Sequence, residues 1–166
     1  MARDLVAMAR ADQEARRAWQ GDPDRAAEVE RLDRDHTERL RELVDALGWP
    51  GRSEVGEAAA TAAWLLVQHA DHDPEFQRRC LALLEAAAER GDAEPRHVAF
   101  LTDRVLIHEG SLQRYGTQLR MESGRLVPIP IEDPDGVDGR REALGLEPLD
   151  AYVRETERSY GVAGPA

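Results

Sequence analysis

The side chains able to do chemistry gather around one histidine. His69 closes a segment rich in alanine and apolar on most sides, SEVGEAAATAAWLLVQHA. Helical spacing puts it on a stripe with Val55, Ala58, Ala62 and Leu65 or Leu66, aimed at a core one turn before the helix ends. Gln68 precedes it, and Asp71, His72 and Asp73 follow in the same short loop. A buried imidazole is either a structural group with its hydrogen bonds met or a proton carrier. The polar company speaks for the second.

Asp103 is the next anomaly. Its helical neighbours at i−4, i−3, i+3 and i+4 are Ala99, Phe100, Leu106 and Ile107, all apolar. An ionised carboxylate there must be paired or hydrogen-bonded, or its pKa rises until it is neutral. Two roles fit: a bridge that pins two helices, or a carboxylate that orients His69 as a base. Arg104 is adjacent in sequence but about 100° round the helix, so it need not satisfy Asp103 directly; its expected role is to bind an anionic substrate group bidentately. Then comes Gln113-Arg114-Tyr115-Gly116-Thr117-Gln118, a phenol, hydroxyl, amides and a guanidinium directly after a helix stop. Loops anchored on rigid helices carry binding groups. The alternative is an ordinary polar turn in which Tyr115 is packed as a plug.

Other chemistries find less support. Spacing lets His69 chelate a metal with His72 or Asp73, but Asp73 stands before Pro74 as a helix N-cap. His97 and His108 form no matched second motif, and one cysteine, Cys80, cannot make a cysteine zinc site or an internal disulfide. The expectation is therefore no metal and no cofactor. Cys80 shares an apolar stretch with Phe76, Leu83 and Leu84 and reads as core; Ser111 lacks a nucleophile-elbow context.

Composition narrows the classes further. All 22 basic residues of the 166 are arginine; Lys and Asn are absent. A pyridoxal Schiff base, a Walker A lysine and an N-glycosylation sequon are excluded together. The net charge is −11, and residues 53–110 hold 11 acids against 5 arginines. That field repels phosphate backbones and anionic membranes. No apolar run approaches a membrane span and MARDLVAMARADQEARR lacks a signal-peptide core, so a cytoplasmic protein is expected.

The elements that must position these groups are mostly helical. A polar, surface-type helix is predicted over 2–20, with Gly21-Asp22-Pro23 as stop and new N-cap. A charge-laced helix runs over 23–47 and ends at Gly48-Trp49-Pro50-Gly51; the alanine-rich helix starts at Ser53. Further helices are predicted over 74–90 and from Glu94-Pro95 to Gly110. These five form an α-helical bundle, with 24–110 as the core of a single domain. GTQLRM and RLVPIPI flank Glu122-Ser123-Gly124 as a hairpin whose second arm Pro128 and Pro130 confine to an edge. Two short helices follow at about 138–144 and 148–159, then a frayed tail at 161–166.

Gly48-Trp49-Pro50, Gln68-His69-Ala70-Asp71, Gln77, Asp103-Arg104-Val105, Tyr115-Gly116-Thr117-Gln118, Pro128-Ile129-Pro130, Arg140-Arg141 and Gly145-Leu146 occur in that order. The ordered series resembles a domain family of unknown function common in actinobacteria, over about residues 33–153. The resemblance implies no settled activity, but it marks the residues that the burial argument reaches. The expected function is a small metal-independent acid/base enzyme acting on a small molecule or peptide. His69 is its general acid/base, Asp103 orients it, and Tyr115 assists. Gln68, Asp71, Arg104, Thr117 and Gln118 bind substrate. The alternative is a non-catalytic module whose polar core recognises a peptide or protein.

Overall fold

Proline and aspartate punctuation sets where the helices begin. In a computed structural model that describes residues 1–19 and 22–161, helix α1 spans Ala2–Trp19 and α2 spans Pro23–Leu47. The Asp22 carboxylate accepts from the Asp24 backbone N–H, with Pro23 at the start of the helix. The predicted stop at Gly21 lies outside the described residues. Helix α5, Pro74–Glu89, opens the same way: Asp73 accepts from Phe76 N–H and also pairs with Arg41.

The helix predicted from Ser53 is divided. Gly56 has φ +80°, left-handed backbone that a helix cannot continue through, so α3 is Arg52–Val55 and α4 is Glu57–Gln68. That break rotates the buried stripe. Ala59, Ala62, Ala63, Leu66 and Val67 are buried while Ala58 is exposed, and His69 is the C-cap instead of an interior helical residue.

Contacts divide the chain into two compact units, Met1–Glu94 and Pro95–Ala166. The first holds α1–α5. Alanines at 59, 60, 62 and 63 let α4 approach its neighbours closely, against Leu5 and Ala9 of α1 and Val29, Leu40 and Val44 of α2. Phe76, Cys80, Leu84 and Ala87 supply the buried face of α5. Cys80 is fully buried, and burial pushes its thiol up to about 12. Native protein should therefore be inert to a disulfide-exchange reagent at neutral pH and release one thiol per chain when unfolded. A fast native reaction would show that this face opens.

The second unit holds α6 (Pro95–His108), which the sequence grouped with the preceding helices, a hairpin and two short helices. Strands β1 (Leu119–Glu122) and β2 (Arg125–Pro128) pair antiparallel, with Leu119 opposite Pro128. Ser123 and Gly124 between them both have positive φ, a tight turn whose twist suits a two-residue hairpin. Helices α7 (Val137–Glu142) and α8 (Leu149–Ser159) follow. Glu157 of α8 is buried and accepts from Leu126 N–H, tying α8 to β2. Among the described residues no helix is long and apolar enough to cross a membrane. The architecture is mainly α with one small hairpin; of the predicted tail, residues 162–166 lie outside the described residues.

Candidate acid–base site

The end of α4 is held before its chemistry begins. The last carbonyls of a helix lack intrahelical partners. Here fully buried Gln77 of α5 donates through Nε2 to Val67 O at 3.0 Å and Gln68 O at 3.3 Å, and to Asp71 Oδ1 at 3.2 Å. One side chain thus fixes the Gln-His-Ala-Asp segment.

His69 Nδ1 then lies 2.8 Å from Asp12 Oδ1 of α1 and 3.0 Å from Arg16 Nε, one turn further along that helix. Arg16 Nε is 3.1 Å from Asp12 Oδ1, and its Nη2 donates to Asp33 Oδ1 of α2 at 2.6 Å. The two contacts of Nδ1 exclude each other, since one nitrogen cannot both donate and accept. A proton on Nδ1 gives a charge-assisted bond to Asp12, and Arg16 Nε keeps Asp12 as its acceptor. The opposite tautomer sets a nitrogen lone pair against a carboxylate oxygen. We therefore assign the proton to Nδ1, leaving the Nε2 lone pair available.

The fields around this cluster push its two carboxyls apart. Burial alone would raise Asp12, which is 1% exposed, but the hydrogen bond and charge of His69, with Gln13 and Arg16, outweigh it and hold the carboxyl below its usual range. Asp33 goes up instead, because burial prevails over Arg16. His36, one turn from Asp33 on α2, is lowered by burial against the opposing charges of Asp12 and Asp33, and its buried Nδ1 has no hydrogen-bond partner among the described residues.

The carboxylate that the structure sets against His69 is Asp12, where the sequence pointed to Asp103. Asp103 is fully buried, as its apolar neighbours required, but both its oxygens serve a loop of its own unit. Oδ1 accepts from Arg114 N–H at 2.6 Å and Tyr115 N–H at 2.9 Å; Oδ2 accepts from Thr117 N–H at 2.8 Å and Thr117 Oγ1 at 2.9 Å. Its hydrogen-bond partners are thus a loop of its own unit and not a second helix. Three backbone N–H groups and one hydroxyl satisfy a buried charge as well as a guanidinium would.

The same loop is clamped twice more. Buried Gln113 donates through Nε2 to Gln118 O and Ile129 O and accepts from Gln118 N–H. Gly116 has φ +68°, and a Cβ there would meet Leu149 and Ile131 side chains at 2.8 and 2.9 Å, so only glycine fits. Gln118 Oε1 accepts from Arg104 Nη2 at 3.0 Å, and the Tyr152 hydroxyl donates to Thr117 O at 2.8 Å. Arg141, fully buried, donates to Tyr115 O and Glu147 O.

The Tyr115 ring lies by the Arg114 guanidinium at 5.8 Å, and its hydroxyl makes no hydrogen bond among the described residues. Tyr115→Phe should thus leave the melting temperature within the equivalent of about 0.5 kcal/mol, whereas a plugged hydroxyl would cost about 1–3 kcal/mol. Thermal melts of the pair decide.

Of the expected site residues, Gln68, His69 and Asp71 thus share the first unit, and Asp103, Arg104, Tyr115, Thr117 and Gln118 share the second. Asp12, Arg16, Asp33 and His36 complete the histidine cluster without having been singled out in the sequence. The signal was present. Leu5, Ala9 and Asp12 form one buried stripe on α1, and Val29, Asp33, Thr37, Leu40 and Val44 recur at helical spacing on α2. No curated protein and no solved structure is matched by the chain. A family match does exist, over residues 1–164, wider than the 33–153 span of the ordered motifs and inclusive of the helix that carries Asp12 and Arg16. The chain belongs to DUF6624, a family of unknown function.

Proposed function

We propose that this protein is a small acid/base enzyme of the hydrolase, cyclase or isomerase type, acting on a small molecule or peptide. His69 transfers the proton and Asp12 orients it. The observation that carries this reading is the 2.8 Å contact between His69 Nδ1 and a carboxylate only 1% exposed. A carboxylate on Nδ1 fixes the tautomer that presents Nε2 as a base and stabilises the imidazolium once the proton arrives. Asp12 and Asp33, both bonded to Arg16 and pushed in opposite directions, fit the pattern of paired groups with divided roles. The step itself calls for no cofactor. The net charge of −11 speaks against nucleic acid and anionic membranes as partners, and a lone buried thiol is compatible with a cytoplasmic place of action.

The test is a mixed panel of esters, lactones, amides and short peptides, followed by NMR with wild type and His69→Ala. Wild type should convert at least one component, and the variant should be slower by about 10²–10⁴-fold while still folded. Conversion at equal rates by both proteins would refute the assignment.

A second reading rests on the other unit. The loop 114–118 is locked by Asp103 and Gln113 yet presents an unbonded phenol, a preorganised surface suited to a peptide-binding module. In that case Tyr115→Phe and Gln118→Ala weaken peptide binding at unchanged stability, and His69→Ala changes nothing.

A further inference from the structure

We propose that Asp12, Asp33 and His69 form a binding site for one divalent transition-metal ion, which competes with the Arg16 guanidinium for the same three side chains. One carboxylate oxygen from each aspartate and one ring nitrogen of His69 all lie within 4.8 Å of one another. Ligands at about 2.0–2.2 Å from zinc stand at most about 4.4 Å apart, so closing this triangle on an ion needs side-chain adjustment alone. One imidazole with two carboxylates suits zinc, manganese, iron or cobalt better than calcium or magnesium, which favour oxygen alone.

Charge supports the same conclusion. Two aspartates against one arginine leave a negative charge uncompensated, whereas a divalent ion balances both carboxylates. Arg16 already marks the spot where a cation is stabilised: it reaches Asp12 at 3.1 Å, His69 at 3.0 Å and Asp33 at 2.6 Å. Its side chain is 27% exposed, the most accessible of the four, and can swing into water without crossing the core.

Unmet polar groups flank the triangle on α2. His36 is one turn from Asp33, and Asp12, Asp33 and Arg16 all act on it; its buried Nδ1 lacks a partner among the described residues. Thr37 is 2% exposed, lies one further residue along on the face of Asp33, and its hydroxyl also lacks a partner among them. A cluster with the hydrogen bonds of Arg16 as its whole purpose would have no use for these. An ion with open coordination positions, or water bound to it, would.

The inference goes beyond the acid/base reading. A metal on Nδ1 displaces the proton there and leaves the neutral ring protonated on Nε2, whose lone pair the transfer needs. The ion and the Arg16-filled state are thus alternatives, and filling the site suspends the proton-transfer step. Calorimetric titration of the chelator-treated full chain with zinc and with manganese tests binding without reference to turnover. Zinc should bind at one ion per chain. His69→Ala and Asp12→Asn should weaken it by more than the about 10–100-fold that loss of a supporting group costs. Arg16→Met should tighten it by removing the competitor, and His108→Ala, exposed at the end of α6, should leave it unchanged. If Asp12→Asn does not fold, Asp33→Asn, with its aspartate already 16% exposed, reports on the same site. Absence of stoichiometric binding, undiminished binding in His69→Ala or Asp33→Asn, or weaker binding in Arg16→Met would overturn the proposal.

Discussion

Asp103→Ala should lower stability by about 3–5 kcal/mol, the range in which buried charge networks fail. The change strands three backbone N–H groups and the Thr117 hydroxyl in a region where Asp103 and Thr117 are 0% and 3% exposed. Each unmet buried group costs about 1–3 kcal/mol, and water entering the loop recovers part of that sum. The corresponding fall in melting temperature is about 6–20 °C. Glu28→Ala, at an exposed position of α2, should move stability by no more than about 0.5 kcal/mol. Amide exchange should accelerate first at Arg114, Tyr115 and Thr117, since those protons lose their acceptor. Equal melting of the two variants would mean that the carboxylate does not hold the loop.

Asp12→Asn should cut turnover by about 10²–10⁴-fold, on the reasoning that an amide in place of an orienting carboxylate presents the wrong partner to Nδ1; in the serine-protease triad the equivalent exchange costs about 10⁴. The side chain keeps its shape, so the stability loss is confined to the charge-assisted bonds to His69 and Arg16, about 1.5–3 kcal/mol. Asp4→Asn, exposed on the same helix, supplies the control for both measurements. Loss of activity only in step with unfolding would reduce Asp12 to a structural group.

Which parts of this were legible in the sequence follows from the reach of helical periodicity. Asp22-Pro23 and Asp73-Pro74 announced their helix starts because capping is local chemistry. The hairpin was legible because its turn residues, Ser123-Gly124, are local signals too. Gly56 was not, since a glycine inside an apolar helical pattern is usually tolerated and only its φ of +80° ends the helix. That single break is why Ala58 is exposed and His69 caps the helix.

Burial of Asp103 was legible from its four apolar neighbours, but its partner was not. Periodicity finds a buried carboxylate and is silent about backbone donors 11–14 residues later. The true partner of His69 failed to stand out for the opposite reason. Asp12 and Asp33 sit on helices dense in exposed Glu, Asp and Arg, so two buried aspartates look like the rest until the stripes of Leu5-Ala9-Asp12 and Val29-Asp33-Leu40 are traced. A triangle drawn from three helices has no spacing of its own in the sequence.

The central claim is that His69 is held by Asp12 with its proton on Nδ1 and its Nε2 lone pair free. Nitrogen-15 NMR of the neutral imidazole ring, on the chelator-treated protein, reads this tautomer without any substrate. In wild type, His69 should show a protonated Nδ1 and an unprotonated Nε2, and Asp12→Asn should erase that preference while Asp103→Asn leaves it intact. A proton on Nε2 in wild type, with Nδ1 accepting from Arg16, would contradict the account.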